Sequence, residues 1–172
     1  LKTQPDTVER AQQELALLVT LGVPLLMTKG YAAAEVEQTY ARAHQLCQNV
    51  GNSPQLLPAL AGLFRFYFVR AKFSLAQEFA EQALSLAQQT SAHTVFLIAH
   101  CLLATLSAAR GRFLAAREHF DEGFRLYDPQ RHPVLALIYG DDPGVICRSL
   151  GGFNLWFLGY PDQALQHAQA GL

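Results

Sequence analysis

Charge is scarce in this sequence, and what there is cancels. Asp, Glu, Lys and Arg make up only 16% of the 172 residues, 13 basic against 14 acidic, for a formal charge of -1. A chain without a basic field has nothing to attract a phosphate backbone or an anionic bilayer. Nucleic acid and membrane surfaces are therefore excluded as main ligands. Cysteine is also sparse. Cys47, Cys101 and Cys147 are odd in number and far apart in sequence, so no disulfide framework is implied and they read as buried thiols of a reducing, cytoplasmic compartment. No Gly-Lys-Ser/Thr follows a glycine-rich turn, which excludes a phosphate loop. Gly140, Gly144, Gly151 and Gly152 are spaced wrongly for a dinucleotide fingerprint. Leu1 to Arg10 are polar, and no cleavage motif follows, so a signal peptide is not expected. The apolar runs Leu15 to Met27 and Thr94 to Ala109 fall short of the roughly 20 residues that span a bilayer. Both read as buried helices. Period-two alternation is missing throughout, which argues against strands.

What is abundant is apolar surface. Ala, Val, Ile, Leu, Met, Phe, Trp, Tyr and Cys make up 51% of the chain, more than an isolated soluble domain of this charge content usually carries. Helices sandwiched between neighbours would use it, and so would a face reserved for a partner. The chain begins without Met and stops inside a helical pattern at Gly171-Leu172, so the expectation is a segment of a larger protein.

An internal repeat organises the rest. Phe113, Ala116, Phe120, Gly123 and Leu126 match Phe73, Ala76, Ala80, Ala83 and Leu86 at an offset of 40, and Ala33, Val36, Tyr40, Ala43 and Leu46 at a further 40. Moving forward by 48 gives Pro161, Ala164, Ala168 and Gly171. The steps of three and four are one face of an α-helix. A second series aligns Leu17, Leu57, Leu97 and Val145, and then Val23, Leu63, Leu103 and Gly151. Between the series lie turns at 28–30, 70–72, 110–112 and 158–160, three of them with the Gly that closes a helix. Small residues in each stripe let helices approach closely. Stacked pairs bury what one pair alone cannot. The spacing predicts helices over 6–28, 33–49, 54–70, 73–90, 93–110, 113–127, 143–158 and 161–172. They form about four antiparallel pairs (6–49, 54–90, 93–127, 143–172) in one all-α domain with an insertion at 128–142. Ser53-Pro54 and Asp142-Pro143 read as helix starts, with Asp6 a further candidate. Pro24 and Pro58 predict a kink or a late start.

The motif Gly111-Arg112-Phe113-x-x-Ala116-x-x-x-Phe120, with Lys72-Phe73-x-x-Ala76 and Gly159-Tyr160-Pro161-x-x-Ala164, resembles the tetratricopeptide repeat. The family period is about 34 residues; here it is 40, 40 and 48. The resemblance implies a right-handed α-α superhelix. At the level of phrases, Lys29-Gly30-Tyr31-Ala32-Ala33-Ala34-Glu35, Tyr139-Gly140-Asp141-Asp142-Pro143 and Leu158-Gly159-Tyr160-Pro161-Asp162 are similar to the helical-repeat region of large bacterial signalling proteins. Those join a cyclase-like or kinase domain to an ATPase and a tetratricopeptide tail. This implies a sensory or scaffolding segment, not the enzyme.

Candidate chemistry is thin. His44 and Cys47, three apart, could share a metal, but no second pair stands nearby and a structural site needs four ligands. Glu118-His119 reads as a solvated helix face, and Asp141-Asp142 as a turn plus a cap. No nucleophile near Cys147, Arg148 and Ser149 has a histidine at short spacing. No enzyme, cofactor or metal is expected. The surface expected to work is the concave one. Residues offset from the core stripe point there: Leu18, Leu21 and Leu25; Ala61, Arg65 and Phe68; Ile98, Cys101 and Thr105; Ile146, Ser149, Phe153 and Trp156. The competing expectation is that they pack inside a tightly curved stack. In the insertion, the apolar run Val134 to Tyr139 needs cover and is expected to fold back as a short turn of helix or an extended segment. Arg65, Phe68, Tyr139, Arg148, Phe153 and Trp156 are the candidate contacts. The partner would be a protein or peptide, another domain of the same chain, or a second copy. The alternative is a small-molecule effector in the same groove.

Overall fold

The computed structural model describes residues 7–51 and 53–170. The candidate start at Asp6 and the stripe position Gly171 lie outside them. Among the described residues the chain is all-α, with nine helices and no strand: α1 Val8–Lys29, α2 Ala34–Val50, α3 Leu56–Val69, α4 Phe73–Thr90, α5 His93–Ala109, α6 Phe113–Leu126, α7 Leu135–Tyr139, α8 Pro143–Phe157 and α9 Pro161–Ala170. Eight match the helices expected from the repeat. The ninth, α7, is one turn within the insertion.

Sequence signals explain several of the ends. Thr7 caps α1 by accepting from the Arg10 amide at 3.3 Å. Asp142 caps α8, taking the Gly144 amide at 2.7 Å, with Pro143 at the first helical position. Ser53 is a correction. Its hydroxyl accepts from the Gln55 amide at 3.3 Å and shapes a turn, while α3 begins only at Leu56. That late start leaves Pro58 in the first turn, where its missing N–H costs nothing. Pro24 instead lies well inside α1, which continues through it.

The closing turns repeat in their hydrogen bonds. The amides of Lys72, Arg112 and Tyr160 each donate to the carbonyl five residues back, on Tyr67, Ser107 and Leu155, at 2.9 Å. The amides of Ala71, Gly111 and Gly159 each reach the carbonyl three residues back, the double bond of a Schellman motif. All three residues have positive φ, 55°, 72° and 85°. Ala71 thus adopts the left-handed conformation without the freedom of glycine.

The helices fall into two compact units, one reaching to Phe79 and including Ile138–Gly140, the other formed by Ala80–Leu137 and by the chain from Asp141 onward. In the first unit α1 and α2 run antiparallel. Leu15 clusters with Ala43, Leu46 and Cys47, while Leu26 clusters with Val36 and Tyr40. An Arg42–Glu14 pair at 2.7 Å spans the same two helices. The Tyr40 ring sits between two glycines 40 residues apart, Gly22 of α1 and Gly62 of α3. A methyl carbon on either would fall within 2.4 Å of it. Tyr67 donates to Glu37 at 2.7 Å and stacks on Phe79.

In the second unit Phe120 of α6 packs on Gly151 of α8, and Asn154 of α8 donates to the Phe113 carbonyl at 2.9 Å. Gly152 lies against Ala164 of α9. The insertion is pinned at both ends. Nδ1 of the buried His132 accepts the Asp128 amide at 2.9 Å, which leaves the ring proton on Nε2, 3.4 Å from Thr94 Oγ1. Tyr127 donates to Asp142 at 3.0 Å.

Burial corrects parts of the repeat. The stripes of α2, α4 and α6 are buried at Val36, Tyr40, Ala43, Ala76, Ala80, Ala83, Ala116 and Phe120. Among the described side chains of α9 Ala164 alone is buried, and Ala168 is exposed. Leu17 and Val145 are about half exposed, whereas their counterparts Leu57 and Leu97 are buried. Helices α3 and α5 are each covered along most of their surface, while α1 turns a smaller face inward. The run Leu15 to Met27 is accordingly not a buried helix: Leu17, Leu21 and Met27 are all exposed. Among the described residues, α1 is the one helix long and apolar enough to cross a membrane by length and composition. In the insertion, Leu135 and Tyr139 are covered but Val134, Leu137 and Ile138 are exposed, so the expected cover is half made.

Candidate functional site

The six candidate contacts separate. Arg65, Phe68 and Tyr139 belong to the first unit, Arg148, Phe153 and Trp156 to the second. Phe68 stacks on Phe64 at 5.6 Å, an aromatic packing contact. Tyr139 is only 6% exposed and offers little surface to a partner. Burial pushes its hydroxyl up to about 12, against the pull of the Arg65 guanidinium. Tyr40, also near Arg65, is raised to about 12 by the same burial. Arg148 lies over the Phe124 ring at 5.0 Å, a cation–π contact that commits its head group.

Phe153 and Trp156 remain together and open, 67% and 63% exposed. They stand one turn apart on α8. With Gly152 they face Ala164, Leu165 and Ala168 of α9 across an apolar groove of about 290 Å³. The reason is local. The turn at Gly159 reverses the chain, Gly152 lets α9 approach α8, and the small Ala164 and Ala168 leave the groove floor unfilled. Other residues expected on the working face pack inside instead. Ala61, Ile98 and Cys101 are buried, the outcome anticipated for a tightly packed stack.

Two pairs escaped sequence reasoning. Cys101 of α5 and Cys147 of α8 bring their sulfurs to 3.2 Å, both buried. They are 46 residues apart, close to the 48-residue offset, and that was the available signal. The second pair is His100 and His119, whose Nδ1 atoms are 3.0 Å apart. His119 is therefore not on a solvated face. The turn at Gly111 sets them opposite each other. Burial holds both imidazoles below the usual histidine range, and for His100 the neighbouring His119 adds to it. Glu122 and Arg125 act on His100 with opposite sign, and Glu118 raises His119.

This pair sets a pH dependence. One neutral ring can donate to the other, but two protonated rings would face donor to donor. Both rings take protons more readily in the unfolded chain. Stability is therefore complete above the ordinary histidine value of about 6.5 and falls as the pH drops below it. The thermal midpoint should be lower at pH 5.5 than at pH 7.5, and His119→Phe should shrink that difference. An equal fall in the variant would assign the acid sensitivity to other groups.

Among the described residues no group of three or more His, Cys, Asp or Glu side chains is placed to hold a metal ion. Comparison with known proteins finds no matching family model, no similar curated protein and no similar solved structure.

Proposed function

We propose that this chain is a non-catalytic interaction module, a tetratricopeptide-like array of four helix pairs wound as a right-handed superhelix. On this reading it is a regulatory or sensory segment of a larger cytoplasmic signalling protein of bacterial type, and it binds a protein or peptide. The observation that carries the reading is the α8–α9 groove, where two large aromatics stand exposed beside an apolar floor. Such side chains bring large apolar area at low ordering cost and are common anchors of interfaces. No lining residue is charged, so the ligand would be an apolar face of a helix or an extended segment, bound with little dependence on salt. The array rests on the 40- and 48-residue offsets repeated by the closing turns. A reducing compartment suits the three buried thiols.

Trp156 is the only tryptophan, so its fluorescence reports the groove alone. At sub-micromolar concentration the emission should be red-shifted and quenched by iodide, and it should shift blue when a partner or a flanking domain is added. A blue, unquenchable spectrum at that dilution would remove the site. The lining is almost wholly apolar and the volume comes close to the lower end of the roughly 300–1,000 Å³ of small-molecule pockets, so an apolar effector is the second reading. A thermal-shift screen against metabolites separates the two, because a bound effector raises the midpoint.

A further inference from the structure

Helices α5 and α8 of the second unit meet with a cysteine on each. The Sγ atoms of Cys101 and Cys147 are 3.2 Å apart, and both side chains are buried. Each residue lies inside its helix rather than at an end, so regular backbone holds the two thiols side by side. Bonded sulfurs stand about 2.05 Å apart, so a shift of roughly 1.2 Å closes the gap. Cys101 Sγ is also 3.8 Å from the carbonyl oxygen of Pro143, one turn before Cys147 on α8.

The surroundings favour a bond between the sulfurs over other uses of a thiol pair. Helix α6 sends no side chain against them. Gly123 faces the pair, and a methyl carbon on it would lie 2.8 Å from Cys147 Sγ and 3.7 Å from Cys101 Sγ. A structural metal site needs about four ligands. Among the described residues no third His, Cys, Asp or Glu joins these two sulfurs.

We propose that Cys101 and Cys147 are a site of oxidative modification, which hydrogen peroxide closes into a disulfide that staples α8 to α5. Cys101 is the more exposed of the two, 6% against 1%, so it reacts first when local opening admits so small an oxidant. Its thiolate attacks one peroxide oxygen and the O–O bond breaks. The departing hydroxide takes up the thiol proton and leaves as water, with Cys101 now a sulfenic acid. The Cys147 thiolate then attacks Cys101 Sγ and the S–O bond breaks. That hydroxide leaves as water with the Cys147 proton. Two thiols have lost two electrons and two protons, and one peroxide has become two waters. The closed loop takes in α6 and the insertion, which restrains the unfolded chain far more than the folded one.

The test is to treat the dilute, folded chain with hydrogen peroxide and follow it by thiol counting, peptide mapping and thermal melts. The free thiols should fall from three to one, with Cys101 joined to Cys147 in the same chain and Cys47 still free. The thermal midpoint should rise by roughly 5–15 °C. Met27 is exposed and takes up oxygen under the same treatment, so the link is read from mapped peptides rather than from total mass. Cys101→Ser and, separately, Cys147→Ala should form no link and show no rise, whereas Cys47→Ser should respond as the unsubstituted chain does. Three thiols surviving excess peroxide, oxygen adducts on Cys101 or Cys147 in place of the link, or a link that uses Cys47 would each overturn the proposal. So would a linked chain whose midpoint moves no more than that of treated Cys101→Ser.

Discussion

Ala116→Arg should abolish the cooperative unfolding transition. Ala116 is 0% exposed and sits on the inward stripe of α6 with Phe120 and Gly123. Overpacking such a position costs about 1–3 kcal/mol. An unpaired guanidinium in an apolar contact adds several more. Against a total stability of about 5–15 kcal/mol the sum is enough to unfold a domain of this size. Ala76→Arg in α4, also 0% exposed, should behave alike, since it holds the same place one repeat earlier. Leu114→Arg is the control. It neighbours Ala116 on α6 but is largely exposed, and surface changes stay within about 0.5 kcal/mol. Thermal melts followed by circular dichroism read all three. A normal melt for Ala116→Arg would mean that the stripe does not face inward.

Gly62→Val should be nearly as damaging, and the damage should depend on Tyr40. The first atom of any side chain at Gly62 would fall 2.4 Å from the Tyr40 ring carbons, far inside contact distance. The ring cannot swing away, because Gly22 of α1 closes the other side with equal tightness. The strain has to go into separating α3 from α2, which exposes the cluster of Leu26, Val36, Leu63 and Phe66. Tyr40→Ala removes the obstacle and leaves a cavity, costing about 3–5 kcal/mol by itself. In the double variant each change relieves the other. The combined loss should therefore be smaller than the sum of the single losses, by a coupling within the 0.5–3 kcal/mol seen for contacting residues. Strict additivity, measured by denaturant titration, would show that Tyr40 and Gly62 do not share this contact.

Much of the all-α architecture is legible one residue at a time. The three-four spacing of Ala and aromatic positions, the Gly at closing turns and the Asp142-Pro143 start all depend on local geometry. A helix needs only the few residues on either side to choose its face and its ends. Hence α2, α4, α5 and α6 fall within about a residue of expectation. Local rules misled where two signals competed, as at Ser53-Pro54, where Pro58 delays α3 to Leu56.

Burial is different, because a stripe becomes core only if something covers it. Ala164 and Ala168 belong to the same pattern as Ala116 and Phe120, yet Ala168 is open because among the described residues no helix crosses α9 as α8 crosses α6. The candidate site divides along the same line. That Phe153 and Trp156 share a face follows from their spacing of three on α8. That they stand exposed over a groove, while Tyr139 is buried and Arg148 lies on Phe124, was decided by neighbours distant in sequence. The pairs Cys101–Cys147 and His100–His119 belong to that second class. Sequence alone determined helices, their phases and their turns, since those follow from the backbone and the next few side chains. Tertiary structure alone decided which apolar faces are covered, which thiols and imidazoles meet and which aromatics remain free, since each depends on the packing of helices tens of residues apart.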